Sequence, residues 1–90
     1  MIPSEEIERW RGVVSRLVRG PAPRGREFDL CREILAATPP VPQRLPAARM
    51  LLEGAMADAA TGIGDAQQVM TLLKACDRGD LDLEALLDGR

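Results

Sequence analysis

The sequence predicts an all-α protein, a small bundle of four to five short helices open to completion by dimerisation or a partner. Three observations predict it. Apolar residues recur at spacings of three and four, and no segment shows the period-two alternation of a half-buried strand. The periodic runs are broken by "RGP", "TPPVP", "TGIGD" and "RGD", each made of residues that stop or start helices. The chain has 90 residues and only two aromatic ones, Trp10 and Phe28, which suits one small domain (1–90) with an aliphatic core. A chain of this size buries roughly 60–65% of the surface it exposes when unfolded, so its stability margin is thin. Self-association or partner binding is one way to widen that margin.

The first helix is expected over about 4–19. Ser4 is placed to cap it, and Glu5 and Glu6 favour its positive end. Ile7, Trp10, Val14 and Leu17 form its apolar stripe, widened by Val13 and Val18. Gly20 and Pro21 end it. A second helix, about 27–37, lines up Phe28, Cys31, Ile34 and Leu35, and the prolines of "TPPVP" stop it. The third spans about 44–61, with Pro46 in its first turn, where a missing N–H costs little. It is apolar around most of its circumference, the mark of a central helix. Its alanines and Gly54 would let neighbours pack close, and Arg49 and Glu53 can pair. A fourth helix, about 66–77, carries Ala66, Val69, Met70, Leu73 and Cys76 on one face. Asp65 and Gln68 have capping-box spacing at its start. Gly79 ends it, and Asp80 is placed to cap a last helix, 81–88, with Leu83, Leu86 and Leu87 together.

Charge is unevenly placed. Residues 1–50 hold nine arginines and six acids, a balance of +3, while residues 51–90 hold three bases and eight acids, a balance of −5. The two halves can therefore pair with each other or present different faces to partners. "RWRGVVSRLVRGPAPRGR" contains six arginines and no acid, the composition of a phosphate-binding arm. Helix chemistry accounts for most of it. Glu5 lies four before Arg9, Glu8 lies three before Arg11, and Arg16 and Arg19 suit the negative end of the helix. Arg24 and Arg26, in the linker, have no such explanation.

Catalytic chemistry finds little support. There is no histidine and no tyrosine, and neither cysteine has a base nearby in sequence, so the expectation is a protein that is not an enzyme. No cofactor and no metal are expected: two cysteines 45 residues apart lack zinc-ligand spacing. "TGIGDA" lacks the lysine of a phosphate loop. Cys31 and Cys76 read as free thiols, bridged only if their helices touch. The start "MIPSEEIERW" does not resemble a secretory leader, and no run is long enough to span a membrane, so a cytoplasmic location is expected. The excess of arginine over lysine suggests a GC-rich bacterial genome.

Two function classes remain. The favoured one is a non-enzymatic protein–protein interaction module (an adaptor, regulator or small chaperone-like subunit) that uses apolar helix faces and forms a homodimer or binds a protein partner. Its candidate contact residues are Trp10, Arg24, Arg26, Leu83, Leu86 and Leu87. The alternative is a nucleic-acid-binding regulator with a helix-turn-helix-like hairpin at about 47–77, reading bases through Gln67, Gln68, Thr71 and Lys74. That hairpin is net acidic and holds a single lysine, which opposes attraction to phosphate.

Overall fold

In the computed structural model, which describes residues 2–88, the protein is all-α. Its helices are α1 (Ser4–Arg19), α2 (Arg26–Ala36), α3 (Arg44–Ala57), α4 (Ile63–Asp77) and α5 (Leu83–Asp88), with one 3₁₀ turn, Ala59–Thr61. The molecule measures 36 × 32 × 19 Å, about two helices deep. One layer is α2, α3 and α4, with α3 in the middle. The second is α1, which crosses the first layer, with α5 beside it. One core cluster joins all five helices.

The first helix buries Trp10, Val13, Val14 and Leu17, as its periodicity predicts. Its cap differs from expectation. Pro3 takes the capping position in extended geometry, and its carbonyl accepts from the amides of Glu6 and Ile7. Ser4 is already helical and makes no capping bond. The non-helical residue is Pro3, at ψ 147°, so Ser4 already lies inside the first turn and its hydroxyl is not at the capping position. Glu6, rather than Glu5, pairs with Arg9 at 2.6 Å, while Glu8 pairs with Arg11 at 2.6 Å as expected.

The linker after Gly20 is part of the fold. Ala22 and Pro23 are buried. Arg32 of α2 donates from Nε to the Leu17 carbonyl and from Nη2 to the Pro23 carbonyl, each at 3.0 Å. Its guanidinium thereby ties the end of α1 to the linker. The Arg24 amide donates to Asp58 Oδ2 at 2.8 Å. The same carboxylate accepts from the Ala60 amide at 2.8 Å through Oδ1.

Asp58 also explains where α3 stops. The helix was expected to run to Thr61, but it ends at Ala57 and Asp58 turns extended. A short carboxylate that can bond nearby backbone amides competes with the helix, and here it caps the 3₁₀ turn instead. Within α3 the buried arc is Ala47, Ala48, Leu51, Leu52 and Ala55. Gly54 faces α2. A Cβ there would fall under 3.0 Å from two carbons of the Phe28 ring, so this glycine sets the α2–α3 approach.

The fourth helix starts at Ile63, earlier than expected, behind Gly62 at φ 92°. Asp65 is therefore inside its first turn and makes no capping box with Gln68. Asp65 pairs with Arg16 at 2.8 Å instead, and this contact raises the Arg16 pKa. Gln68 accepts from Trp10 Nε1 at 2.9 Å. Inside, α4 places Val69, Leu72, Leu73 and Ala75, while Met70 faces outward. The last cap is Asp82, whose Oδ1 accepts from the Glu84 amide at 3.0 Å. Asp80, expected to cap, pairs with Arg78 at 3.0 Å.

Candidate functional site

Most of the residues singled out in the sequence go elsewhere than an exposed contact face. Trp10, Leu83 and Leu86 lie in the core at 3%, 6% and 4% exposure. Leu87 is half-buried against it. The amphipathic last helix spends its leucines on its own domain, packed on α1. A six-residue helix is not stable alone, and α1 is the surface it uses.

Arg24 and Arg26 are exposed. Arg24 borders a shallow cleft of about 330 Å³ together with Arg19, Arg32 and Asp29, whereas Arg26 stands outside it. Arg32 is committed to backbone carbonyls and to Asp29 at 3.1 Å. The cleft thus ties loop to helix more than it offers free charge. The two charge-opposed halves of the chain do meet. Arg16–Asp65, Arg44–Asp88 and Arg49–Asp77 each join a base of the first half to an acid of the second.

The most distinctive surface is one the sequence reading did not name as a site. Six large apolar side chains are well exposed: Leu30, Leu45, Met50, Met56, Ile63 and Met70. All six belong to α2, α3 and α4, and none to α1 or α5. Because α3 is flanked by α2 and α4 and backed by α1, its exposed side is the outer face of the layer. Two depressions lie on that face. One, between α2 and α3, is lined by Leu30, Cys31, Ile34, Pro46 and Met50. The other, between the end of α3 and the start of α4, is lined by Met56, Ile63, Ala66 and Met70. They lie diagonally across α3. Between them Arg49 reaches both Glu53 at 3.5 Å and Asp77 at 2.8 Å.

Signals for this face exist in the sequence. At 100° per residue Leu30 points about 200° away from Phe28. Ile63 stands between two glycines, where no core face can use it, and it is 79% exposed.

Chemically reactive groups are few. Burial pushes the Cys31 and Cys76 thiols up from their ordinary pKa, which disfavours the thiolate. Both cysteines are free, so no bridge joins them. Among the described residues no group of three or more His, Cys, Asp or Glu is arranged to hold a metal. No helix among them is long and apolar enough to cross a membrane. On the α3–α4 hairpin, Gln68 is turned inward to Trp10, and the outward side of α4 combines Ile63 and Met70 with Lys74. No protein-family model matches this chain, and neither a curated protein nor a solved structure matches it.

Proposed function

We propose that this protein is a non-enzymatic interaction module, an adaptor or regulator, whose outer α2–α3–α4 face receives an amphipathic helix of a protein partner. The observation that carries this reading is the segregation of all six exposed large apolar residues onto three adjacent helices. Apolar side chains scattered singly over a surface need no explanation, but a concentrated patch marks a contact site. Three of the six are methionines, whose flexible thioethers adapt to different partner shapes. Two depressions set diagonally across α3 suit a helix crossing it obliquely, the commonest class of helix packing. Such a partner would set two apolar anchors, a few turns apart, into the two depressions.

The test is selection of a helical peptide library on the immobilised protein, with Met50→Glu/Met70→Glu as counter-target. Peptides with two apolar anchors that bind the native protein and lose at least about tenfold on the double variant are expected. Failure to enrich any such peptide, or equal binding to the folded variant, would sink the reading. Sedimentation velocity on both proteins separates a second copy of this chain from a foreign partner. A dimer that dissociates in the variant identifies self-association through the same face. The nucleic-acid reading has less support, because Gln68 is used internally and the exposed side of α4 carries one base, Lys74, against Asp77.

A further inference from the structure

A second kind of surface lies away from that face, in a cavity where α1 meets the end of α2, the start of α3 and α5. It has a volume of about 490 Å³, within the range of small-molecule sites. Its floor is aliphatic: Val14, Val18, Leu35, Leu86 and Leu87. Its charged lining is three arginines, Arg11, Arg19 and Arg44, against the single carboxylate of Glu8. Glu8 is engaged by Arg11 at 2.6 Å.

Arg44 is the most telling group. Its side chain is only 18% exposed, and its bonds are long: 3.4 Å to Asp88 and 3.3 Å to the Leu87 carbonyl. Its Nε is buried with no acceptor. A guanidinium carries five donors and accepts nothing, so two long bonds leave Arg44 with donor capacity for an anionic oxygen at its accessible Nη atoms. Arg19 is exposed at the rim with no carboxylate partner among the described residues. Gly12 forms part of the wall. A Cβ there would touch only Arg16 Nη1, at 3.6 Å, so this edge of the cavity has room for a larger side chain.

We propose that this cavity binds a small amphipathic anion, a carboxylate or phosphate head on an aliphatic body. Arg44 and Arg19 hold the head, and the valine and leucine floor takes the body. Two opposite preferences meet in one cavity: an apolar floor selects against a bare inorganic anion, and an arginine rim selects against a neutral or cationic amphiphile. The site is separate from the proposed helix-docking face and stands or falls independently of it.

Calorimetric titration at low salt tests it with octanoate, octyl phosphate, octanol, octyltrimethylammonium and inorganic phosphate. Both anionic amphiphiles are expected to bind, with the other three at least about tenfold weaker. Arg19→Gln, a change at an exposed side chain, should weaken the two anions about tenfold and leave octanol unchanged. Gly12→Leu should narrow the cavity and weaken binding of both anions, with the Trp10 unfolding transition retained. Octanol binding as well as octanoate, no binding of either anion by the folded protein, or undiminished binding by Gly12→Leu would each overturn the proposal. Vesicles rich in phosphatidylglycerol form the last arm. If they bind Gly12→Leu and the native protein alike while the monomeric anions do not bind, the arginines act as a surface charge and the cavity proposal fails.

Discussion

Gly54→Ala is the sharpest probe of how the layer is held together. The added methyl would sit under 3.0 Å from two Phe28 ring carbons and 3.2 Å from a third. Either the half-buried ring swings toward solvent or α2 moves away from α3. Overpacking of this kind costs about 1–3 kcal/mol. Against it, alanine is a better helix former than glycine by about 1 kcal/mol. The net loss is then about 0–2 kcal/mol, too broad a range to decide anything alone. A double-mutant cycle with Phe28→Ala removes the ambiguity. Without the ring, Gly54→Ala keeps only the helix-propensity gain and should stabilise the protein by about 1 kcal/mol. The sign of the substitution therefore differs between the two backgrounds, with a coupling of about 1–3 kcal/mol. For a domain of this size each kcal/mol moves Tm by about 4–8 °C. Thermal and urea unfolding followed by Trp10 fluorescence and by circular dichroism would measure it. If Gly54→Ala stabilises both backgrounds equally, the α2–α3 approach is not set by this glycine.

Trp10→Phe keeps most of the packing but removes the N–H to Gln68; a loss of about 1–2 kcal/mol is expected, read from urea unfolding by circular dichroism. Arg32→Met keeps the aliphatic stem and strands the Leu17 and Pro23 carbonyls. It should cost about 1–3 kcal/mol and speed tryptic cleavage after Arg24 and Arg26, which mass spectrometry would locate. Asp58 has its carboxyl pKa lowered, chiefly by the Arg24 amide and then by the Ala60 amide. The unfolded chain then binds the proton more readily, so this contribution is present above about pH 4 and lost as pH falls through the folded value. Asp58→Asn should flatten the fall of Tm between about pH 5 and pH 3, measured against the native protein. Cys31, buried in the core, should label more slowly with a thiol reagent at pH 7.5 than half-buried Cys76, and equal rates would contradict the packing of α2.

The number of helices, their order and most of their inward faces could be read from periodicity. The starts and stops could not be read as well, and the reason is specific. Ser4, Asp58, Asp65, Asp80 and Asp82 are all chemically able to cap, and local sequence does not rank them. Pro3 displaced Ser4, and Gly62, with its positive φ, started α4 ahead of Asp65. Asp65 then went to Arg16, 49 residues away. Asp58, inside "MADAAT", both ends α3 and holds the linker, because its second partner is the distant Arg24 amide. Arg32 is, in sequence, one helical arginine among several. Its role needs the carbonyls of Leu17 and Pro23, which only the folded chain brings to it.

The same limit applies to the surface, and there it bears on function. Helical periodicity tells which residues of an amphipathic helix face inward only when the rest are polar. In α1 that condition holds, and the buried set is the predicted one. In α3 it does not. Leu45, Met50 and Met56 are as apolar as the residues opposite them, so Arg49 and Glu53 mark an outward strip but the sequence does not say which of the apolar positions beside it are covered. The fold covers one side with α1 and the flanks with α2 and α4, and the apolar remainder is exposed. Burying that remainder in the monomer would need a further helix, and α5, the last of the described helices, is already committed to α1. A partner helix on the outer face would cover Met50 and Met56 on either side of the Arg49–Glu53 pair, at roughly 25 cal/mol for each Å² of apolar surface removed from water. Substituting Met50 and Met70 by glutamate should therefore leave the monomer's unfolding transition almost unchanged, because both side chains already meet solvent. Its effect should fall on association.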